Sequence, residues 1–248
     1  MKPASFVLRS LLLFAIALGL SACVNQPSRF NTQSNDEKAA SANADLGFEY
    51  MRQGDYPRAL AKLRKALEQD PDQPQAHSGI ALLYQQLEEF GQAEVHFKKA
   101  LALSKNDPNI QNNYGVFLCG RGRHQEALGY FMQVANSPIY TQPETAYTNA
   151  GVCARRVPDM ELAETNFREA LRRNPQYAEA LAQMASISYD RGDYLRTRAF
   201  IQRFETVAPE SPQMLLLAMR TERQLGNARG AARYEQRLRT TYPEINTR

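Results

Sequence analysis

Residues 40–73 read ASANADLGFEYMRQGDYPRALAKLRKALEQDPDQ, and this stretch decides the fold. Leu46, Gly47 and Tyr50 belong to a first helix, Gly54-Asp55-Tyr56 to a turn, and Ala59, Leu63 and Ala66 to a second helix. Each residue type has a physical reason. The small Gly47 lets the second helix come close. Tyr50 and Tyr56 are placed to fill the gap between the helices. Ala59 and Ala66 keep the crossing tight. Pro71 lacks a backbone N–H and stops the second helix.

The same unit returns along the chain. Pro175, Pro209 and Pro243 are 34 residues apart, as are Gly192 and Gly226. Aligning on them gives six units: 40–73, 74–107, 108–141, 144–177, 178–211 and 212–245, with an insertion of two residues after the third. The second unit has Ile80, Ala81, Tyr84, Phe90, Ala93, Phe97 and Ala100; the third has Tyr114, Gly115, Leu118, Gly122, Ala127 and Phe131. The fourth carries Ala150, Gly151, Ala163, Phe167, Ala170 and Pro175. The fifth has Thr197 at the usual Ala, and the sixth has Met219 for the small residue and Glu235 for the aromatic. Terminal units of a stack are often atypical because one face meets water. The unit resembles the tetratricopeptide repeat. That resemblance implies an all-α, right-handed superhelical solenoid of six helix-turn-helix repeats over residues 40–248.

Composition agrees with one such body. The chain has 248 residues, 43% of them hydrophobic, and 13 each of Gly and Pro. This is enough apolar material for a core and too little Gly and Pro for a collagen-like or linker-like chain. A mean hydropathy of −0.53 argues against many membrane spans. Three Cys are too few for a disulfide-built scaffold.

The first 22 residues read as an export signal. Lys2 and Arg9 precede the short apolar run LLLFAIALGL at 11–20. A spanning helix needs about 20 apolar residues. Leu20-Ser21-Ala22-Cys23 resembles the lipobox of bacterial lipoproteins, which implies acylation of Cys23; an ordinary secretory signal followed by a chance Cys is the alternative. More than one acyl chain is needed for stable anchoring. Val24, in place of Asp, suggests sorting to the outer membrane by the same resemblance. Residues 23–39 are polar and are expected to form a flexible, lipidated tether. Loss of residues 1–22 removes Lys2 and Arg9 and lowers the net charge from +4 to +2.

No catalytic pattern is found. His77, His96 and His124 occupy positions expected at the solvent or in the groove, and none pairs with another His at ligand spacing. The chain has no His-Glu-x-x-His, Gly-x-Ser-x-Gly or Walker-type phosphate loop. Neither enzymatic activity nor a cofactor is expected, apart from the acyl chains on Cys23, and no small-molecule substrate. Cys119 and Cys153 lie on the first helices of units three and four, which are neighbours in this fold. An oxidising compartment would join them if the Cα atoms lie within about 7 Å; otherwise they are two small buried thiols. The join between these units, residues 136–143, carries two prolines and is expected to loop outward, as a plain insertion or as a contact loop.

The concave face of the repeat family is lined by the first helix of each unit. There Phe48, Leu82, Val116 and Val152 form an apolar series, with Met51 beside Phe48. Such a stripe suits an apolar segment of a partner. Gln85, Gln86 and Asn112 could hold a peptide backbone through their amides. Some of these residues, Val116 and Val152 above all, could instead be core. Charge is uneven too: residues 191–248 hold eleven Arg and six acidic residues, a net of +5, whereas residues 1–190 have a net of −1. Arg196, Arg198, Arg203, Arg233, Arg237 and Arg239 make either a solvated, ion-paired face or a docking face for anionic groups.

The stretches Asn112-Asn113-Tyr114-Gly115-Val116-Phe117-Leu118-Cys119 and Asn149-Ala150-Gly151-Val152-Cys153 carry a more specific resemblance, to the type IV pilus biogenesis and stability lipoproteins of the PilF/PilW family. The paired Cys resemble those of the PilW branch. The family implies a non-enzymatic lipoprotein on the periplasmic face of the outer membrane. Its partners would be the pilus secretin or other pilus-assembly proteins, and its role that of a pilotin or a stabiliser of pili. An envelope scaffold for cell-wall enzymes is the alternative. A nucleic-acid binder is a remote one, opposed by the export signal.

Overall fold

The computed structural model describes residues 34–244. The expected export signal, Cys23 and the tether as far as residue 33 lie outside the described residues. Among these, twelve α-helices form six antiparallel pairs, and there is no strand. They are α1 (Asn35–Arg52) with α2 (Tyr56–Gln69), α3 (Pro74–Gln86) with α4 (Phe90–Leu103), and α5 (Pro108–Gly120) with α6 (His124–Ala135). Then come α7 (Pro143–Arg156) with α8 (Met160–Arg173), α9 (Ala178–Asp190) with α10 (Tyr194–Glu205), and α11 (Pro212–Gln224) with α12 (Ala228–Thr241). Odd-numbered helices pack against one another from unit to unit as well as against their own partners. This is the six-repeat tetratricopeptide solenoid that the period requires.

Local chemistry sets the helix ends. Pro74, Pro108, Pro143 and Pro212 begin odd-numbered helices, where the missing N–H costs nothing. Asp55, Asp159 and Asp193 cap even-numbered helices, each accepting from a backbone N–H three residues on at 3.0–3.2 Å. Five of the six turns between paired helices hold one residue with positive φ, the fourth unit's Val157-Pro158 turn being the exception. Gly54, Gly122, Gly192 and Gly226 supply it at 70–78°; in the second unit Glu88 adopts φ 60° instead.

The first helix starts earlier than the first repeat. Residues 35–39, expected in the tether, are helical. Ser34 and Glu37 form a reciprocal capping box: the Ser34 hydroxyl accepts from the Glu37 N–H, and the Glu37 carboxylate accepts from the Ser34 N–H. Asp36 and Glu37 also favour the positive end of the helix dipole.

The second, third and fourth units repeat one packing motif. Phe97, Phe131 and Phe167 are fully buried on even-numbered helices, beside Ala93, Ala127 and Ala163. The ring of each meets a small residue on the partner helix. A Cβ on Gly115 would lie 2.7 Å from the Phe131 ring, and one on Gly151 would lie 2.7 Å from the Phe167 ring. Thr197 takes the Ala position at 0% exposure by bonding its hydroxyl to the Asp193 carbonyl at 2.9 Å. In the last unit the aromatic role passes from position 235 to the buried Tyr234, backed by Leu238, while Glu235 pairs with Arg223 and Arg239.

Leu46 is open, and Tyr56 departs from the gap-filling role expected of it. They are 44% and 41% exposed, because no earlier repeat covers the first pair. Tyr50 is half-buried under the Arg58 guanidinium.

Candidate functional site

The odd-numbered helices present a hollow at the front of the solenoid, about 540 Å³ in volume. Phe48, Asp45 and Arg52 face it from α1, Gln75 and Ser78 from α3, and Ile110 and Asn113 from α5. Phe48 is half-buried and belongs to none of the core clusters, so its ring is available. The walls are polar. Asp107 caps α5 by accepting from Asn109 N–H at 2.8 Å, and it also accepts from Gln75 Nε2 at 3.2 Å. The Ser78 hydroxyl is buried with no hydrogen-bond partner among the described residues. Arg52 pairs with Glu49. Hydrogen bonds from Gln53 and from Arg52 hold the Glu49 carboxyl below the usual carboxylate range.

The other expected groove residues divide. Met51 is half-buried against the core of the first unit, with Leu63 and Ile80, and Leu82 packs against the core around Phe97, Phe117 and Phe131. Both are partly structural. Gln85 is half-buried, and its side-chain carbonyl is enclosed without a partner among the described residues. Asn112 is 8% exposed and accepts from Asn149 Nδ2 at 3.0 Å. It joins α5 to α7, and that carbonyl is not open to a peptide as the sequence suggested. Val116 (37% exposed) and Val152 line a second, smaller hollow of about 60 Å³ with Cys119, Phe131, Asn149 and Arg156. The apolar series is therefore not one continuous stripe.

Cys119 and Cys153 form a disulfide, with Cα atoms 5.8 Å apart. The bond links α5 to α7 across the irregular join. Within the join, Ile139 is 65% exposed, but Tyr140 packs back on the cluster of Val134, Ala146 and Tyr147. Burial pushes the Tyr140 hydroxyl pKa up.

The histidines correct the sequence reading. His77 is only 6% exposed, and its Nδ1 lies 3.1 Å from Nδ1 of His96. Helical spacing within one helix does not show this pair, because it forms between the two helices of one unit. Among the described residues, no group of three or more His, Cys, Asp or Glu side chains converges on a metal position.

The Arg-rich rear is largely stapled internally. Arg198 reaches Glu222 at 2.6 Å, Arg237 reaches Glu205 at 2.9 Å and Glu210 at 2.6 Å, and Arg239 reaches Glu235 at 2.6 Å. Arg196 pairs with Asp193, and Arg203 donates to the Pro175 carbonyl at 2.8 Å. Arg233 lies near the ring of Tyr234. Of the two readings of this face, the ion-paired one describes most of it.

Two family descriptions match the chain: "TPR repeat" over residues 47–88 and "YpiA-like, C-terminal tetratricopeptide repeats" over residues 74–136. The type IV pilus assembly protein PilF of Pseudomonas aeruginosa is 28% identical over 237 residues, spanning 95% of this chain and 94% of that protein. The crystal structure of PilW, a widely conserved type IV pilus biogenesis factor, superposes with a TM-score of 0.74 at 31% identity, covering 84% of this chain and 95% of that one. This chain belongs to the PilF/PilW family of type IV pilus biogenesis proteins. The solved structure of Pseudomonas aeruginosa PilF agrees, with a TM-score of 0.75, 27% identity, and coverage of 86% and 96%. In this PilF/PilW chain, then, the two hollows and the disulfide sit on a solenoid whose whole length the family shares.

Proposed function

We propose that the protein is a scaffold for type IV pilus biogenesis that works by binding other proteins, without catalysis. Held at the periplasmic face of the outer membrane by acyl chains on Cys23, it would act as a pilotin, helping the pilus secretin to insert and multimerise, or would stabilise assembled pili. The observation that carries the binding role is the front hollow with Phe48 at its wall. An aromatic ring outside every core cluster, framed by amides and one buried hydroxyl, suits an anchor residue on a partner segment. The export-signal pattern of Lys2, Arg9 and the short apolar run at 11–20, followed by the lipobox-like residues 20–23, supports the anchored location.

A deletion strain scored for heat-resistant secretin multimers and for surface pili tests the role. Loss of both supports the pilotin reading. Normal multimers with fewer pili favour stabilisation, and normal levels of both overturn the pilus reading. Phe48→Asp in the full chain should weaken capture of a pilus partner while leaving the helical content unchanged. A fall in helical content would instead show that Phe48 is core. Cys23→Ser should release the protein from the membrane fraction, and continued membrane retention would overturn the lipid anchor.

A further inference from the structure

His77 on α3 and His96 on α4 meet inside the second unit. Their Nδ1 atoms are 3.1 Å apart, and the rings lie 5.2 Å centroid to centroid. The other nitrogen of His77, Nε2, is 3.0 Å from the Pro71 carbonyl. A carbonyl can only accept, so His77 Nε2 must carry a hydrogen. In neutral His77 the Nδ1 atom is then a lone pair, and His96 Nδ1 must be the donor to it. One tautomeric arrangement satisfies all three atoms.

This geometry limits how many protons the pair can take. One extra proton is accommodated on His96 Nε2, with His96 Nδ1–H still donating to His77 Nδ1. A second puts two N–H groups face to face at 3.1 Å, which no rotation of His77 relieves without breaking the Pro71 bond. The surrounding charges pull both ways, Lys99 raising the cost and the two nearby carboxylates lowering it at His77. Lys99 faces both rings from α4, while Asp70 and Asp72 face His77 from the turn after α2. Asp72 is engaged by Lys99 at 3.2 Å. On α3 the Tyr84 ring packs 5.6 Å from His96. His77 is 6% exposed, so little water reaches it to solvate a charge.

We propose that His77 and His96 form an acid-sensitive clasp that fixes α3 against α4 and loosens when the pair is forced to take a second proton. Gln75 and Ser78, which line the front hollow, flank His77 on α3. Acidification would therefore act on one wall of that hollow and leave the other units unchanged. The clasp is a property of the second repeat and holds whatever partner occupies the hollow. Burial lowers both imidazole pKa values, and the pull of the Pro71 carbonyl on His77 does not cancel this. A base whose folded pKa is depressed contributes stability above its unfolded value, near 6.5, and loses it as pH falls through that value and below.

Ring NMR and amide hydrogen exchange on the full chain test the proposal. The His77 and His96 rings should titrate below the ordinary histidine range and in two separated steps, because the sites are coupled. Protection of α3 and α4 amides, corrected for intrinsic rates, should fall severalfold or more between about pH 7.5 and 5.5, where the opened histidines take up protons that the closed pair resists. Protection in α9 and α10 should hold. His96→Gln offers an amide that can donate to or accept from His77 Nδ1, and it should flatten the response of the second unit. If that variant fails to fold, the ring titration of the wild-type chain decides. Two independent titrations near 6.5, or protection in α3 and α4 that ignores pH, would overturn the clasp.

Discussion

Cys119 on α5 and Cys153 on α7 are bonded across the join that separates the third and fourth repeats. The helices they connect are not consecutive; α6 and the seven-residue connection 136–142 lie between them. The bond closes a loop of 34 residues in the unfolded chain, worth about 3–4 kcal/mol in the chain-entropy estimate. Urea unfolding with and without reductant should show a loss of about 3 kcal/mol, and Cys153→Ser should reproduce it. Equal midpoints under both conditions would mean that the thiols are held only by packing.

Gly151 faces the Phe167 ring with no room for a methyl group. Gly151→Ala should push the ring from its site and cost about 1–3 kcal/mol, the usual range for overpacking. Gly129, on the outside of α6, has nothing within 4 Å of an added Cβ. Gly129→Ala should gain up to about 1 kcal/mol, since helix-interior Gly is disfavoured. Thermal melts of the two variants should move in opposite directions. A shared direction would contradict the packing described.

Glu88 adopts φ 60° where four other turns use Gly. Relief of that conformation is worth about 1–2 kcal/mol, against a Gly entropy cost of about 0.5–1 kcal/mol. Glu88→Gly should therefore stabilise the second unit by about 0.5–1 kcal/mol. A lower urea midpoint for the variant would show that the Glu88 side chain makes a compensating contact.

Glu222 is buried on α11, where it accepts from Arg198 and from Asn227 Nδ2, both at 2.6 Å. Burial alone would raise its pKa. The hydrogen bonds from Arg198 and Asn227 outweigh that, and its pKa lies below the ordinary carboxylate value of 4.5. A depressed carboxylate contributes stability above the unfolded value, and that share is lost as pH falls through 4.5 and then through the folded value. Glu222→Gln should cost about 2–3 kcal/mol at neutral pH, where a charged hydrogen bond is lost. The cost should shrink as pH falls below 4.5. Denaturation of both chains across that range checks the sign; a penalty that stays constant with pH would refute it.

The fold was legible because its determinants recur in one register. Gly47, Gly115 and Gly151, with Ala59, Ala93, Ala127 and Ala163, mark the same contacts in successive units, so an error in one is corrected by the others. The site was legible only in part. Phe48 could be placed from its position within the unit. Ser78, Gln75 and Asp45 line the same hollow at other positions of the unit, where polar residues give no apolar signal to follow. Asn112 is engaged by Asn149 of the next unit across an insertion, a partner that its position within its own unit does not reveal. The His77–His96 contact was missed for a related reason: it joins two helices that face each other, and spacing along one helix carries no trace of it. Contacts between elements depend on geometry that the period alone does not contain.

The placement of the disulfide has a mechanical consequence. It ties α5 to α7, two helices of the inner curve, while the outer helices α6 and α8 on either side of the join carry no such bond. Bending that closes the curve presses the tied helices together, and bending that opens it pulls on a covalent bond. A load from a bound partner that would unroll the solenoid here therefore meets a covalent stop between α5 and α7 as well as the packing of the two helices.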